Sequence, residues 1–268
     1  MLSWILQQQA IGISQFDREM SKAHPDLTGY LTNATDYVRT IGSDCNYLQA
    51  TEMLDWNTYL TGNMHILDLG CGGGWLSANL SKYSAVEKIY ALDSSKHFLE
   101  KLLPNVIKVM GGDAQKIEAV EAFFTPLLFE DSSLDLVAAS SSVHHAENLE
   151  YLFSEIARVL KPNGRLILLN ETPRGGFRYL ISAIMASLRI LKNIASKKYY
   201  SASPALSSTC FLYDPKLGDR DYPMWYWGKA LDTSGFVIEE ILNTDLPTIK
   251  DGKGRSLIHF ICKKVASK

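Results

Sequence analysis

Chemistry in this chain gathers where glycines, carboxylates and histidines follow apolar runs. Residues 65 to 75 read His-Ile-Leu-Asp-Leu-Gly-Cys-Gly-Gly-Gly-Trp, a strand that runs into a glycine-rich turn and then into a helix beginning near Trp75. Glycine meets three needs there: positive φ, a backbone close enough to touch a ligand, and unpaired amides at a helix start. Asp93 closes a second apolar run, Lys-Ile-Tyr-Ala-Leu-Asp. A carboxylate about twenty residues beyond such a turn can accept both hydroxyls of a ribose. His144 and His145 follow a later apolar run, Leu134 to Ser140. Neutral imidazole titrates near physiological pH, so either ring could take a proton from an acceptor that has to lose one.

A nicotinamide or flavin dinucleotide is the rival ligand for the turn. Its Gly-x-Gly-x-x-Gly pattern needs a small third position so that helix and strand pack closely, and here that place is Trp75. The extra glycines at Gly73 and Gly74 suit an amino-acid moiety lying on the turn in place of a pyrophosphate. No Gly-x-x-x-x-Gly-Lys-Ser/Thr pattern is present to hold a nucleoside triphosphate.

With these residues in view, the chain resembles the class I S-adenosylmethionine-dependent methyltransferases of the type 11 and type 25 kind, whose first motif reads Asp-Leu-Gly-Cys-Gly-x-Gly. Further matches come in order: Gly112-Asp113-Ala114 after the run Val106 to Met110, Leu134 to Ser140 with His144-His145-Ala146-Glu147-Asn148, and Ile156 to Leu168. The likeness covers roughly residues 64 to 171 and, more loosely, 236 to 263. It implies S-adenosyl-L-methionine as cofactor, S-adenosyl-L-homocysteine as product, and methyl transfer to a small-molecule acceptor by direct displacement. By the same likeness Asp68 holds the methionine ammonium, directly or through water, while the backbone around Gly70 and Gly72 packs on the methionyl chain. Asp93 takes the ribose hydroxyls and Asp113 the adenine amino group. Leu69, Cys71, Ser94, Gly112, Ala114 and Ser140 complete the implied cofactor set. His144 and His145 are the catalytic candidates, His145 at a position where the family often has histidine. Two other readings stay open: an enzyme that uses another group of the same cofactor, and a non-catalytic cofactor-binding module.

These residues need a scaffold that brings strand ends together. Apolar runs at 65–69, 88–92, 106–110, 134–139 and 165–170 alternate with helical patterns, which specifies parallel strands joined by right-handed helical crossovers. The fold class is therefore α/β, a doubly wound Rossmann-like sandwich, with ligands beyond the carboxyl ends of the strands. The resemblance adds a seven-stranded order, 3-2-1-4-5-7-6, with the last strand antiparallel; 236–242 and 257–262 supply the final two strands. Four segments follow: an N-terminal helical cap at 1–62, a cofactor-binding core at 63–171, an inserted lid at 172–235 and C-terminal strands at 236–268. Acceptor choice falls to the cap, with Tyr30, Tyr37 and Trp56, and to the aromatic-rich lid, with Tyr199, Tyr200, Phe211, Tyr213, Tyr222, Trp225, Tyr226 and Trp227. Aromatic walls suit a flat or apolar molecule, and the same rings could equally pack the lid onto the sheet.

Composition narrows the partners. A chain of 268 residues, 46% hydrophobic, can bury a sizeable core, and its net charge of -2 provides no global field for phosphate backbones. Nucleic acid is an unlikely partner on that ground, with Arg174, Arg178, Arg189, Lys192, Lys197 and Lys198 read as a solvated helix face. Ala139-Ser140-Ser141-Ser142 lacks the Asn/Asp-Pro-Pro-Tyr/Phe found in family members that methylate nucleobase amines or glutamine. The cysteines Cys45, Cys71, Cys210 and Cys262 form no Cys-x-x-Cys pair, and the loop after Ser140 carries no carboxylate cluster for magnesium, so no metal is expected. No export signal is evident, and the apolar pattern of 177–195 is broken by Arg178, Arg189 and Lys192. It reads as an amphipathic helix that closes over the site or a neighbouring helix, in a cytoplasmic protein without a transmembrane segment.

Overall fold

The computed structural model describes residues 1–11, 33–175, 177, 180, 181, 184, 212, 213, 219–248 and 255–265. Its strands are β1 (Leu2–Ser3), β2 (Met64–Leu69), β3 (Val86–Asp93), β4 (Ile117–Glu121), β5 (Leu134–Ser140), β6 (Leu160–Glu171), β7 (Leu212–Tyr213), β8 (Arg220–Asp221), β9 (Phe236–Pro247) and β10 (Ser256–Lys264). The α-helices are α1 (Ile5–Ile11), α2 (Ala34–Arg39), α3 (Tyr47–Thr51), α4 (Trp56–Tyr59), α5 (Trp75–Leu80), α6 (Leu103–Met110), α7 (Leu149–Val159) and α8 (Met224–Thr233). Eight strands form one sheet in the order β1-β4-β3-β2-β5-β6-β10-β9. β2 through β6 run parallel, and β10 is antiparallel to both β6 and β9. Without β1 this is the expected seven-stranded order. β1 adds a short parallel edge to β4, pairing Leu2 with Val120 and Ser3 with Glu121.

Successive residues of the central strands feed opposite faces, as the two-residue period of a strand requires. Leu67 and Leu69 of β2, Val137 and Ala139 of β5, and Leu166 and Leu168 of β6 enter a core shared with α7 and α8. Ile66, Leu136, Ala138, Ile167 and Leu169 enter the core on the other face, with Trp75 and Leu76 of α5 and with Tyr37 and Trp56 of the N-terminal segment. Burial on both faces explains why these strands read as continuous apolar runs. α7 is set by Asn148, whose side chain accepts the Tyr151 amide, and by Leu149, Leu152, Phe153, Ile156 and Val159 on its buried side.

One expected strand is corrected. Val106 to Met110 lies in α6, not in a strand. Pro104 sits in the first turn, Gly111 ends the helix at φ +66°, and Leu103, Val106 and Ile107 are buried at helical spacing. The third parallel strand is instead Ile117–Glu121, whose sequence Ile-Glu-Ala-Val-Glu is only partly buried.

The lid aromatics that are described mostly pack inward. Trp227 is stacked on Phe260 at 5.6 Å and lies 6.3 Å from Phe153, and Tyr222 stacks on Tyr226 at 5.4 Å. Trp225 points out, 59% exposed. Tyr199, Tyr200, Phe211 and most of 177–195 lie outside the described residues. Phe177, Leu180, Ile181 and Ile184 are helical and exposed, so these four positions of the stripe do not close over the site or a neighbouring helix; Leu188, Leu191 and Ile194 lie outside the described residues. No helix among the described residues is long and apolar enough to cross a membrane.

Candidate functional site

The glycine turn joins β2 to α5. Gly70, Gly72 and Gly74 have φ of +73°, +51° and +80°, values that strain a residue with a side chain. A Cβ at Gly70 would come within 2.6 Å of the Ser142 Cβ, so only glycine lets the turn meet the exit of β5. The amides of the turn itself, residues 70–74, are paired. Gly70 and Cys71 donate to the Leu92 carbonyl, Gly72 to Asp93 Oδ2 at 2.9 Å, Gly73 to the Tyr37 hydroxyl at 2.9 Å, and Gly74 to the Cys71 carbonyl. The turn is built from its own bonds, which leaves recognition to its surface and to the side chains around it. Cys71 lies buried under the turn, where burial pushes its thiol well above the usual range; it is a small packing group and no nucleophile at neutral pH.

Asp68 and Asp93 flank the turn differently. Asp68 is 1% exposed, and its Oδ2 accepts both the amide and the hydroxyl of Ser77, at 3.0 and 2.6 Å, which ties the first turn of α5 to β2. Burial pushes this carboxyl up to about 7, against the lowering effect of the two Ser77 bonds. Asp93 is half-buried at the end of β3, between Gly72 and the Ser95 amide, which donates to Oδ1 at 2.8 Å. Ser94 follows it at the same edge, also half-buried.

The third expected carboxylate moves. Gly112, Asp113 and Ala114 precede β4, at the other end of that strand from the glycine turn. Gly112 is there for packing, since a Cβ would meet the Ala78 carbonyl at 2.8 Å. Asp113 accepts the Gln115 amide and donates its own amide to Ser81, and Ala114 begins a single 3₁₀ turn. The residue that stands beside Asp93 is Glu121, its direct register partner at the carboxyl end of β4. Ser3 donates to Glu121 Oε2 at 2.7 Å. Beyond Glu121, Gln8 is fully buried: Nε2 donates to the Phe123 and Pro126 carbonyls, and Oε1 accepts the Phe123 amide.

At the ends of β5 and β6 the rim is polar and made by side chains from distant segments. Ser140 accepts from Asn170 Nδ2 at 2.9 Å, and Ser141 shares a 2.9 Å hydrogen bond with the Tyr47 hydroxyl. His144 and His145 sit in a 3₁₀ turn, Val143–His145. Glu171, 1% exposed at the end of β6, accepts the amides of Ser142 and Val143 and lies 2.8 Å from His144 Nδ1. Asp219 approaches the same rings at 3.6 Å from His144 Nε2 and 3.5 Å from His145 Nδ1. Burial draws the His144 imidazole down, but Glu171 and then Asp219 outweigh it and carry the ring up to about 10. With Glu171 and Asp219 beside it, that ring favours its protonated form, in which it donates hydrogen bonds. A small open cleft lies beside it, lined among others by Glu171, Asp219, Arg220, Asp221 and Arg255. Of the basic cluster in the lid, Arg174 is held by Asp221 at 2.7 Å; the other five lie outside the described residues.

Of the residues the sequence singled out, Asp68, the turn, Asp93, Ser140 and the His pair lie at these strand ends; Glu121, Glu171 and Asp219 stand beside them and were not singled out. The first two could have been found by the signal that found Asp93, an acid closing an apolar strand. Asp219 carries no local signal.

The rim can hold a cationic ligand with a ribose. Asp93 and Glu121 are adjacent carboxylates, with Asp68 behind them, and they attract an ammonium or sulfonium and accept hydroxyl hydrogens, whereas a pyrophosphate placed there would be repelled. Residues 67–168 match the family model described as a methyltransferase domain. The sterol 24-C-methyltransferase ERG6A of Gibberella zeae is 34% identical over 101 residues, 38% of this chain and 26% of that protein. The demethylmenaquinone methyltransferase of Leptospira interrogans is 30% identical over 134 residues, 43% of this chain and 53% of that protein. The chain thus spans about half or less of the length of these relatives. The YcgJ protein of Bacillus subtilis has the same fold, with a TM-score of 0.57 at 15% identity over 82% of this chain and all of that one. Residues 67–168, which hold the glycine turn and much of the central sheet, thus match a methyltransferase domain.

Proposed function

We propose that the protein binds S-adenosyl-L-methionine along the ends of β2, β3 and β4 and transfers its methyl group, by direct displacement, to a small molecule held at the ends of β5 and β6. The observation that carries this reading is the register pair Asp93 and Glu121 beside a glycine turn of the family's pattern. The sulfonium supplies the activation, so the protein has only to align acceptor, methyl carbon and sulfur and to exclude water. Asp93 and Ser94 take the ribose, Glu121 faces the adenosyl portion in place of Asp113, and the turn from Leu69 to Gly72 supports the methionyl chain. Asp68 is poised near 7, so a nearby ammonium draws it into its charged form. Ser140 borders both halves of the site. His144 and His145 face the acceptor, His144 as a donor to an acceptor oxygen. The matched sterol and menaquinone methyltransferases are named for small-molecule acceptors, and we extend that class to this chain. The buried thiols of Cys71 and Cys262 suit a cytoplasmic setting.

Calorimetric titration of the full chain with S-adenosyl-L-methionine, S-adenosyl-L-homocysteine and NAD tests the cofactor. The first two should bind and NAD should not; binding of NAD alone overturns the assignment. Mass spectrometry of an acceptor panel, with a gain of one methyl group as the readout, tests the reaction.

A further inference from the structure

The cluster at the exit of β5 brings two imidazoles onto one carboxylate. Asp219 Oδ1 lies 3.6 Å from His144 Nε2 and 3.5 Å from His145 Nδ1, and the three ligand-type atoms all fall within 4.8 Å of one another. Contacts at 3.5 Å and beyond are too long for good hydrogen bonds. They are close to the edge of a tetrahedron drawn around an ion with bonds of about 2.1 Å, which is about 3.4 Å.

The surroundings hold the three atoms in that arrangement. The other nitrogen of His144 is 2.8 Å from the buried Glu171 carboxylate, the partner that fixes tautomer and ring orientation in carboxylate–histidine–metal units. Asp219 is held from its neighbours: Arg220 Nη1 donates to the His145 carbonyl at 2.8 Å and the Tyr222 hydroxyl to the Ala146 carbonyl at 2.7 Å. The two imidazoles are 4.4 Å apart, and both share the single Asp219 carboxylate. A divalent ion satisfies both nitrogens and the carboxylate at once. His144 and Asp219 also line an open cleft, from which water or a ligand could complete the coordination, as in two-histidine, one-carboxylate sites.

We propose that His144 Nε2, His145 Nδ1 and Asp219 Oδ1 form a binding site for a divalent transition metal of the zinc type on the acceptor side of the sheet. The absence of a carboxylate cluster from the loop after Ser140 does not bear on it, because Asp219 and Glu171 come from elsewhere in the chain. The site lies apart from the cofactor rim, so cofactor binding is tested separately from it; where the ion binds, it displaces the proton from His144 Nε2, and that nitrogen is then a ligand and no longer a donor to the acceptor.

The test uses the full chain, stripped with a chelator and then titrated at neutral pH with zinc chloride in the calorimeter and with cobalt chloride in the visible spectrophotometer. One tight equivalent of zinc is expected, together with the d–d absorption of protein-bound cobalt. His145→Ala and Asp219→Asn should each weaken zinc binding by about tenfold or more, and Glu171→Gln by about tenfold; Asp93→Ala should leave it unchanged. Circular dichroism confirms that each variant is folded, and Asp219→Asn keeps the shape of the side chain if His145→Ala unfolds. Absence of micromolar zinc binding by the parent chain, or binding that survives in folded Asp219→Asn, overturns the proposal; the latter result assigns the ion to surface histidines such as His65 or His97.

Discussion

The rim at the ends of β2 to β4 and the rim at the ends of β5 and β6 are built by different means. On the first, the backbone does most of the work. A turn closed by its own amides meets Asp93 and Glu121, and each acid is placed by strand register within a few residues of its motif. On the second, Glu171, Asp219, Tyr47 and Arg220 arrive from separate segments and meet the His pair through side chains. Backbone-built sites keep their geometry when a neighbouring residue changes, whereas side-chain networks are coupled and fail together. The same scaffold can thus hold one cofactor constant while the acceptor side varies.

The largest effect should come from the element that fastens the second rim to the sheet. Trp227→Ala removes a ring stacked on Phe260 and should cost about 4 kcal/mol of stability in urea unfolding. Trp225→Ala, on the same helix but exposed, should change it by less than about 0.5 kcal/mol. Equal effects would break the contrast between a packed ring and an exposed one. Next, Asp93→Ala leaves the Gly72 and Ser95 amides without their acceptor and should weaken S-adenosyl-L-methionine binding about 100-fold, or nearly 3 kcal/mol, measured by calorimetry.

Glu171→Gln probes the other side. It replaces a buried acceptor of two amides and a histidine, so a loss of about 2 kcal/mol in stability is expected, with cofactor affinity within about threefold of the parent. A large drop in cofactor affinity would show that the two rims are not separable. Smaller again, Glu121→Gln should weaken the cofactor about tenfold while Asp113→Asn leaves it unchanged; the reverse order would restore Asp113 to the site.

The smallest effect is a pH dependence. His259 is fully buried; its Nδ1 accepts the Asn170 amide and its Nε2 donates to the Ala50 carbonyl, joining β6, β10 and α3. Burial lowers its pKa, more than the Ala50 and Ile258 carbonyls raise it. The unfolded chain therefore binds the proton more readily than the native one. Stability from this group is present above about pH 6.5 and lost as pH falls through the lowered native value. Urea midpoints at pH 7.5 and 5.5 should separate the parent by about 1 kcal/mol more than His259→Gln.

The contrast also explains what could be read from the chain alone. β2, β3, β5 and β6 are buried on both faces, so their sequences are long apolar runs that announce strands and their ends. β4 is a half-buried strand near the sheet edge, and its Ile-Glu-Ala-Val-Glu was less apolar than the helix before it. The stronger run at Val106 to Met110 outweighs it, and with it the expected acid falls at Asp113. Pro104 and Gly111 mark that segment as a capped helix. On the second rim, His144 and His145 were legible because they follow a strong strand. Their partner Asp219 was not, since 74 residues and the lid separate it from His145 and no local period connects them. The lid aromatics were ambiguous for a related reason: ring content does not say which way a helix faces, and α8 turns Trp227 inward and Trp225 out.

Gln8 deserves a last consequence in kinetic terms. Its amide group copies a peptide unit, meeting both the N–H and the carbonyl of Phe123 across 115 positions of chain. So distant a closure carries a large loop entropy and tends to form after the local βα units. The segment that follows Glu121 should therefore be among the last parts of the adenosyl side to become ordered during folding. A refolding chain would gain its sheet, and most of its fluorescence, before it gains affinity for its cofactor.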